Sequence, residues 1–225
     1  MSEFVGTFLL VLTGASSVVL APTAFPPVEA LVFVALVFGG TVTALILSLG
    51  RLSGAHINPA ITFAHSLAGL ADRELFAPYL FFQVSGGLLA GVCLRIAFGS
   101  LASHLGATAL AMGVSPIEAV GLEALGTSIL SMSALSASSL FHSPVKQALL
   151  VGATLFLLIL LVGPLTGASF NPARSLGPAV FSGFYQNQLV YWIGPLLGGS
   201  LAGLLFGVAR KARGRARALP VVCVC

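Results

Sequence analysis

The tripeptide Asn-Pro-Ala occurs twice in this chain, each time after the same kind of loop. The first copy lies in Ser53–Thr62, SGAHINPAIT, and the second in Thr166–Ser175, TGASFNPARS. Proline suits the first turn of a helix because its ring fixes φ and its missing N–H would have no partner there. Asparagine just before it is a favoured N-cap. Each copy therefore predicts a loop that turns abruptly into a helix beginning at Pro59 or Pro172.

The apolar run after each proline is too short to cross a bilayer. It covers residues 60–70 in the first copy and 173–184 in the second, which also contains Gly177 and Gly183. A spanning helix needs about 20 apolar residues, so the two runs indicate re-entrant half-helices. Pairs of interrupted helices of this kind are typical of sites near the middle of a membrane.

The composition is that of an integral membrane protein. Hydrophobic residues make up 57% of the 225 residues and charged residues 7%, with a mean hydropathy of +1.06. Long apolar runs without the alternation of a barrel strand favour helices. The prediction is an all-α membrane protein with six transmembrane helices of about 20 residues and two re-entrant half-helices.

The two halves of the chain repeat a second pattern. Glu3 opens the segment EFVGT and Glu123 opens the segment EALGT, each well ahead of its Asn-Pro-Ala box. Because the first half has three spans, the second half has the opposite orientation in the membrane, which predicts an inverted 3+3 repeat. We expect one domain over 1–225, with repeat 1 over about 1–98, repeat 2 over about 116–209 and a basic tail over 210–225.

Basic residues predict that both termini lie in the cytoplasm. On the predicted topology only Arg95 and Arg174 lie towards the outside, and the other Lys and Arg residues collect on the opposite side. Cytoplasmic loops carry such an excess. The net charge of +4 therefore reflects topology rather than nucleic-acid binding. The short loops favour a cell (plasma) membrane.

Half-helices that enter from opposite faces bring Asn58 and Asn171 together near the membrane midplane. Each helix N-terminus carries roughly half a positive charge, and each asparagine offers amide N–H donors. A water molecule that accepts from both asparagines no longer relays protons along an unbroken file. Arg174 is ionised at membrane depth, which favours a functional role.

Backbone left unpaired at membrane depth is tolerated only where it faces water. The carbonyls of the two loops are therefore predicted to line the water path, and they belong to Gly54, Ala55, His56, Gly167, Ala168 and Ser169. His56 either packs its loop or gates the pore mouth by protonation. The remaining histidines, His65, His104 and His142, show no partner spacing.

Two Asn-Pro-Ala boxes, the second followed by Arg174-Ser175, resemble the aquaporin (major intrinsic protein) family over Glu3 to Gly207. The resemblance implies a passive channel for water that forms a homotetramer with one pore per subunit. In such pores half-helix dipoles and an arginine exclude protons and cations. It also implies that Glu3 and Glu123 hold the loops by hydrogen bonds, and a proton relay is the alternative.

In this family the arginine forms a narrow outer filter with three further positions. Spacing from the two boxes carries these over to Phe38, Ile159 and Ala168. Strict water channels have a histidine where Ile159 stands, so this opening is more apolar, and it resembles archaeal and Nod26-like members. Ser175 replaces the aspartate that glycerol facilitators carry after the arginine.

Several functions remain open from sequence. Water with small neutral solutes as a second cargo is the leading prediction, and a glycerol, ammonia or metalloid facilitator is the alternative that Ile159 supports. An ion-coupled secondary transporter needs acids inside the bundle, but only Asp72 and Glu74 lie between Glu29 and Glu118. For an enzyme, the chain lacks the arrangement of catalytic residues that such a site needs. No cofactor or metal is expected, because the cysteines lack the spacing of metal ligands.

Overall fold

The computed structural model describes residues 1–99, 102 and 104–214. Within these residues the chain is helical, as the sequence predicts, and six helices are long and apolar enough to cross a membrane. The helices are α1 Ser2–Ala24, α2 Pro27–Ser53, α3 Pro59–Ala68, α4 Phe76–Phe98, α5 Pro116–Leu140, α6 Pro144–Thr166, α7 Pro172–Ser182 and α8 Val190–Gly214. The short helices α3 and α7 begin at the two prolines of the repeated box, as predicted.

Local signals fix several helix ends. Ser115 caps α5 in a capping box with Glu118, each side chain bonding the backbone N–H of the other, which satisfies donors that a helix start leaves unpaired. The apolar runs predict helices over about Phe76–Phe98 and Pro116–Leu140, and α4 and α5 have these bounds. Helix α2 ends at Gly54 in the left-handed conformation, a common helix stop.

Other helices run past their predicted ends. The first apolar run predicts a helix over about Ser2–Leu20, but α1 continues through Pro22 to Ala24. Helix α8 continues to Gly214, so the first residues of the segment expected to be a basic tail, from Arg210 on, are helical. Unpaired backbone is costly beside lipid, and this favours extra helical turns. The rest of the tail, with Cys223 and Cys225, lies outside the described residues.

The half-helices interlock the two halves of the chain. Helix α3 packs against α8, and α7 packs against α4, so each half-helix rests on a long helix of the other half. The long helices pair as α5 with α8, α1 with α4 and α2 with α6. The two Asn-Pro-Ala boxes are thereby held in the centre of one bundle.

Two cavities enter the bundle from opposite ends of α2. The larger opens beside Arg51, Arg73 and Arg210, and we call this opening the Arg51 mouth. The smaller, of about 210 Å³, opens beside Pro22 and Leu31, and we call it the Pro22 mouth.

Glycines bring α4 and α7 into backbone contact, which gives a first prediction. A Cβ on Gly177 would overlap the carbonyl oxygen of Gly87, and one on Gly91 would overlap that of Gly177. Gly177→Ala is therefore expected to push the helices apart and lower the melting temperature in detergent, since overpacking costs about 1–3 kcal/mol. Gly121→Ala on α5 is the matched control, because a Cβ there meets nothing within 4 Å. Equal losses in both variants would contradict the close contact.

Candidate functional site

The two asparagines cap their half-helices and also bind across the centre of the bundle. The Asn58 carbonyl oxygen Oδ1 accepts from the N–H of Ala60 at 2.9 Å, and Asn171 Oδ1 accepts from Ala173 at 3.0 Å. Asn58 Nδ2 donates to the Phe170 carbonyl at 2.8 Å. In the equivalent contact from the other side, Asn171 Nδ2 donates to the Ile57 carbonyl at 2.9 Å. The two helix N-termini therefore face each other.

One N–H of each asparagine has no partner among the described residues. A side-chain amide has two N–H bonds, and the bond across the bundle uses one of them. Both Asn58 and Asn171 line the cavity that opens at the Arg51 mouth. The pair therefore presents two donors to a small acceptor such as water.

Glu3 holds the first loop by hydrogen bonds. It is buried in α1, and its Oε1 accepts from the Ser53 hydroxyl at 2.7 Å and the His56 N–H at 3.0 Å. Its Oε2 accepts from the Ile57 N–H at 2.6 Å and from Gln83 Nε2 at 2.7 Å. Both carboxylate oxygens are thus engaged by fixed donors.

Glu123 holds the second loop by an equivalent set of bonds. Its Oε1 accepts from the Thr166 hydroxyl at 2.7 Å and the Ser169 N–H at 3.0 Å, and its Oε2 accepts from the Phe170 N–H at 2.7 Å. Tyr191 on α8 adds a bond from its hydroxyl to the Thr166 carbonyl at 2.8 Å. The repeat seen in the sequence is therefore also a repeat of hydrogen bonds.

Both loops adopt backbone conformations that a helix excludes. Six of their residues have positive φ, namely Gly54, Ala55 and Ile57 in the first loop and Gly167, Ala168 and Phe170 in the second. Non-glycine residues keep such angles only where their surroundings fix them, and the bonds to the glutamates do so here. Of the predicted carbonyl set, Gly54, Ala55, His56, Ala168 and Ser169 line the larger cavity and Gly167 the smaller one.

The four predicted filter residues line the two cavities, which share Arg174. Arg174 lines both cavities, with Phe38 and Ala168 in the larger and Ile159 in the smaller. All four side chains are buried. Arg174 is fixed from two sides: its Nη1 donates to the Gly106 carbonyl at 2.9 Å, and its guanidinium carbon lies 4.9 Å from the centre of the Phe38 ring. Such a cation–π contact is attractive.

The segment before α5 supplies partners that the sequence reasoning missed. Gly106 gives its carbonyl to the arginine, and the Thr108 hydroxyl donates to Ser175 Oγ at 2.9 Å. Ser175 Oγ also lies 2.5 Å from Ser169 Oγ. A threonine in a glycine-rich connection carries no local signal. Gln83, by contrast, is a polar residue in the middle of an apolar span, and that could have marked it.

His65 has a neighbour in the structure that its spacing in the sequence does not indicate. Its ring centre lies 4.3 Å from that of His56, with 30° between the planes. His104 also has a neighbour, the ring of Phe184 at 4.3 Å. Both pairs join residues whose separation in sequence shows no pattern.

Comparison with known proteins gives a consistent result. Residues 1–206 match the family model described as major intrinsic protein. Aquaporin NIP1-1 of Arabidopsis thaliana is 35% identical over 93% of this chain and 73% of its own length. Aquaporin Z of Rhodopseudomonas palustris is 34% identical over 92% of this chain and 91% of its own. The aquaglyceroporin of Plasmodium falciparum has a similar fold, with a TM-score of 0.79 at 23% identity and 93% of each chain covered.

Proposed function

The chain belongs to the major intrinsic protein family, and we propose that it conducts water, with small neutral solutes as a second cargo. Members of this family are membrane channels for water or small solutes and not enzymes. This protein is accordingly a multi-pass membrane channel, with six apolar helices in its described residues. The choice of water as main cargo is the proposal.

The facing asparagines carry this proposal. Asn58 and Asn171 each retain one amide N–H towards the cavity. A water molecule that accepts from both has its oxygen held in place and its hydrogens turned away along the pore axis. Two helix N-termini add positive potential at the same point, which opposes protons and cations. Water passes while the proton relay through the file is broken.

We propose that Phe38, Ile159, Ala168 and Arg174 form the narrow filter. Arg174 is the only one of these four that brings a charge, and its Nε has no partner among the described residues. A buried donor without a partner is costly, so this N–H is available to a passing oxygen. The other three side chains are apolar, and this supports passage of small neutral solutes beside water.

We also propose an orientation and an assembly. Arg51, Arg73, Arg210 and Lys211 line the Arg51 mouth, and an excess of basic residues favours the cytoplasmic side. The protein would then lie in the plasma membrane with both termini in the cytoplasm. The family resemblance supports a homotetramer in which residues 1–225 form one pore per subunit.

The function is tested by stopped-flow light scattering on proteoliposomes, with sucrose and glycerol gradients side by side. A water channel is expected to shrink vesicles fast in both and to recover slowly in glycerol. A pH-sensitive dye inside the vesicles reports proton flux, which is expected to match that of protein-free liposomes. Proton conductance in step with water flux would refute the role of the asparagines.

Replacing Ile159 by histidine is expected to lower glycerol permeability relative to water. The imidazole adds bulk and a polar group beside Arg174, in the place where the opening is now apolar. The ratio of the two permeabilities in the same proteoliposomes is the measurement, and Ile159→Leu is the control that keeps the site apolar. An unchanged ratio in the histidine variant would show that the filter lies elsewhere.

A further inference from the structure

Two histidines with neighbouring, tilted rings lie in the cavity that opens at the Arg51 mouth. His56 and His65 both line this cavity and are half-buried, with ring centres 4.3 Å apart. The filter, the asparagines and the loop supports do not use their side chains. Their hydrogen bonds determine which ring nitrogen of each carries the proton.

The bonding of His65 leaves its Nε2 unprotonated in the neutral ring. Its Nδ1 lies 2.9 Å from the carbonyl oxygen of Ile61. A carbonyl can only accept, so Nδ1 must carry the hydrogen. In a neutral imidazole the other nitrogen then holds a free lone pair.

The same holds for His56, by a longer chain of bonds. Its Nδ1 lies 3.2 Å from the Thr62 hydroxyl. That hydroxyl donates its one hydrogen to the backbone carbonyl of Asn58 at 3.1 Å and accepts from Gln83 Nε2 at 2.9 Å. With the hydroxyl hydrogen directed to that carbonyl, its remaining lone pair accepts from His56 Nδ1, and His56 Nε2 then holds a free lone pair.

Both rings therefore have the bonding of metal-binding histidines. Such histidines donate their second N–H to a carbonyl, carboxylate or other oxygen, which fixes the tautomer and raises ligand basicity. Glu3 adds a negative charge behind the pair, since Gln83 bonds both its Oε2 and Thr62. The open cavity supplies the space for an ion, because both histidines line it.

We propose that His56 and His65 form a two-imidazole site for a divalent transition metal such as Zn²⁺ or Cu²⁺. Imidazole suits both metals, and water from the open cavity completes the coordination shell, as at zinc sites with an open position. A hydrated metal ion held beside the first loop obstructs the path to the asparagines. This effect on water flux rests on the proposed function, whereas binding itself does not.

Binding is tested with Cu²⁺ and electron paramagnetic resonance on the full chain without a histidine tag. The chain has four histidines, so the background variant His104→Gln/His142→Gln leaves only the proposed pair. We expect one Cu²⁺ per chain, with hyperfine structure from two imidazole nitrogens. Adding His65→Phe, which keeps an aromatic ring against His56, is expected to leave one nitrogen or none. Absence of stoichiometric binding, or an identical spectrum after His65→Phe, would overturn the site.

Flux is then measured in proteoliposomes with Zn²⁺ on both sides, each variant normalised to its own permeability without metal. We expect Zn²⁺ to reduce flux in the wild type and in His142→Gln, which removes an exposed histidine at the same mouth. His65→Phe is expected to lose this inhibition. Equal inhibition of the wild type and His65→Phe would overturn the proposal. If the proposed water-channel function is wrong, the protein gives no flux even without metal, while the spectrum with two nitrogens remains. This outcome is therefore distinguishable from failure of the metal site.

Discussion

Replacing Ala168 by tryptophan is expected to reduce water permeability to that of protein-free liposomes. Ala168 lies in the second loop, is 4% exposed and lines the cavity beside Arg174 and Phe38. Its neighbours are buried and close-packed, and an indole added at this position has no space except the pore.

The control for this variant is a tryptophan introduced on the outer face of the bundle. Leu161→Trp on α6 changes a side chain that is 72% exposed, and it is expected to keep wild-type flux. Both proteins are compared at equal amounts of folded, reconstituted protein by stopped-flow light scattering. Undiminished flux in Ala168→Trp would show that the narrow part of the pore is not at this loop.

Replacing Glu123 by alanine is expected to destroy the folded protein. The change leaves three buried donors without a partner, the Thr166 hydroxyl and the N–H groups of Ser169 and Phe170. Each unsatisfied buried donor costs about 1–3 kcal/mol, and a whole domain is stable by only about 5–15 kcal/mol. We expect loss of the monodisperse peak in size-exclusion chromatography and a large fall in melting temperature. Glu123→Gln retains one acceptor oxygen, so its melting temperature is expected to lie between those of the wild type and Glu123→Ala.

Glu118→Ala provides the matched comparison on the same helix. Glu118 is exposed, and among the described residues its side chain bonds only Ser115 in the capping box. The loss of a cap costs about 0.5–2 kcal/mol. The difference between the two variants therefore measures the support of the second loop. Equal stability of Glu118→Ala and Glu123→Ala would contradict that support.

Helix starts and membrane spans could be predicted from the sequence because their causes are local. Pro59 and Pro172 begin the half-helices, and each asparagine before them caps its helix, as proline geometry and capping require. Long apolar runs set the six spans. Their ends were less well predicted, since the helical backbone continues beyond Leu20 and into the segment expected to be a tail.

The sequence by itself therefore determined the fold class, the family and the residues of the two boxes. The tertiary structure alone decided which groups those residues bind. The bond from Asn58 to Phe170, the bond from Arg174 to Gly106 and the packing of α3 on α8 all join segments far apart in the chain. No periodicity or cap encodes such contacts, because hydrogen bonds across the bundle depend on how whole helices pack rather than on neighbouring residues.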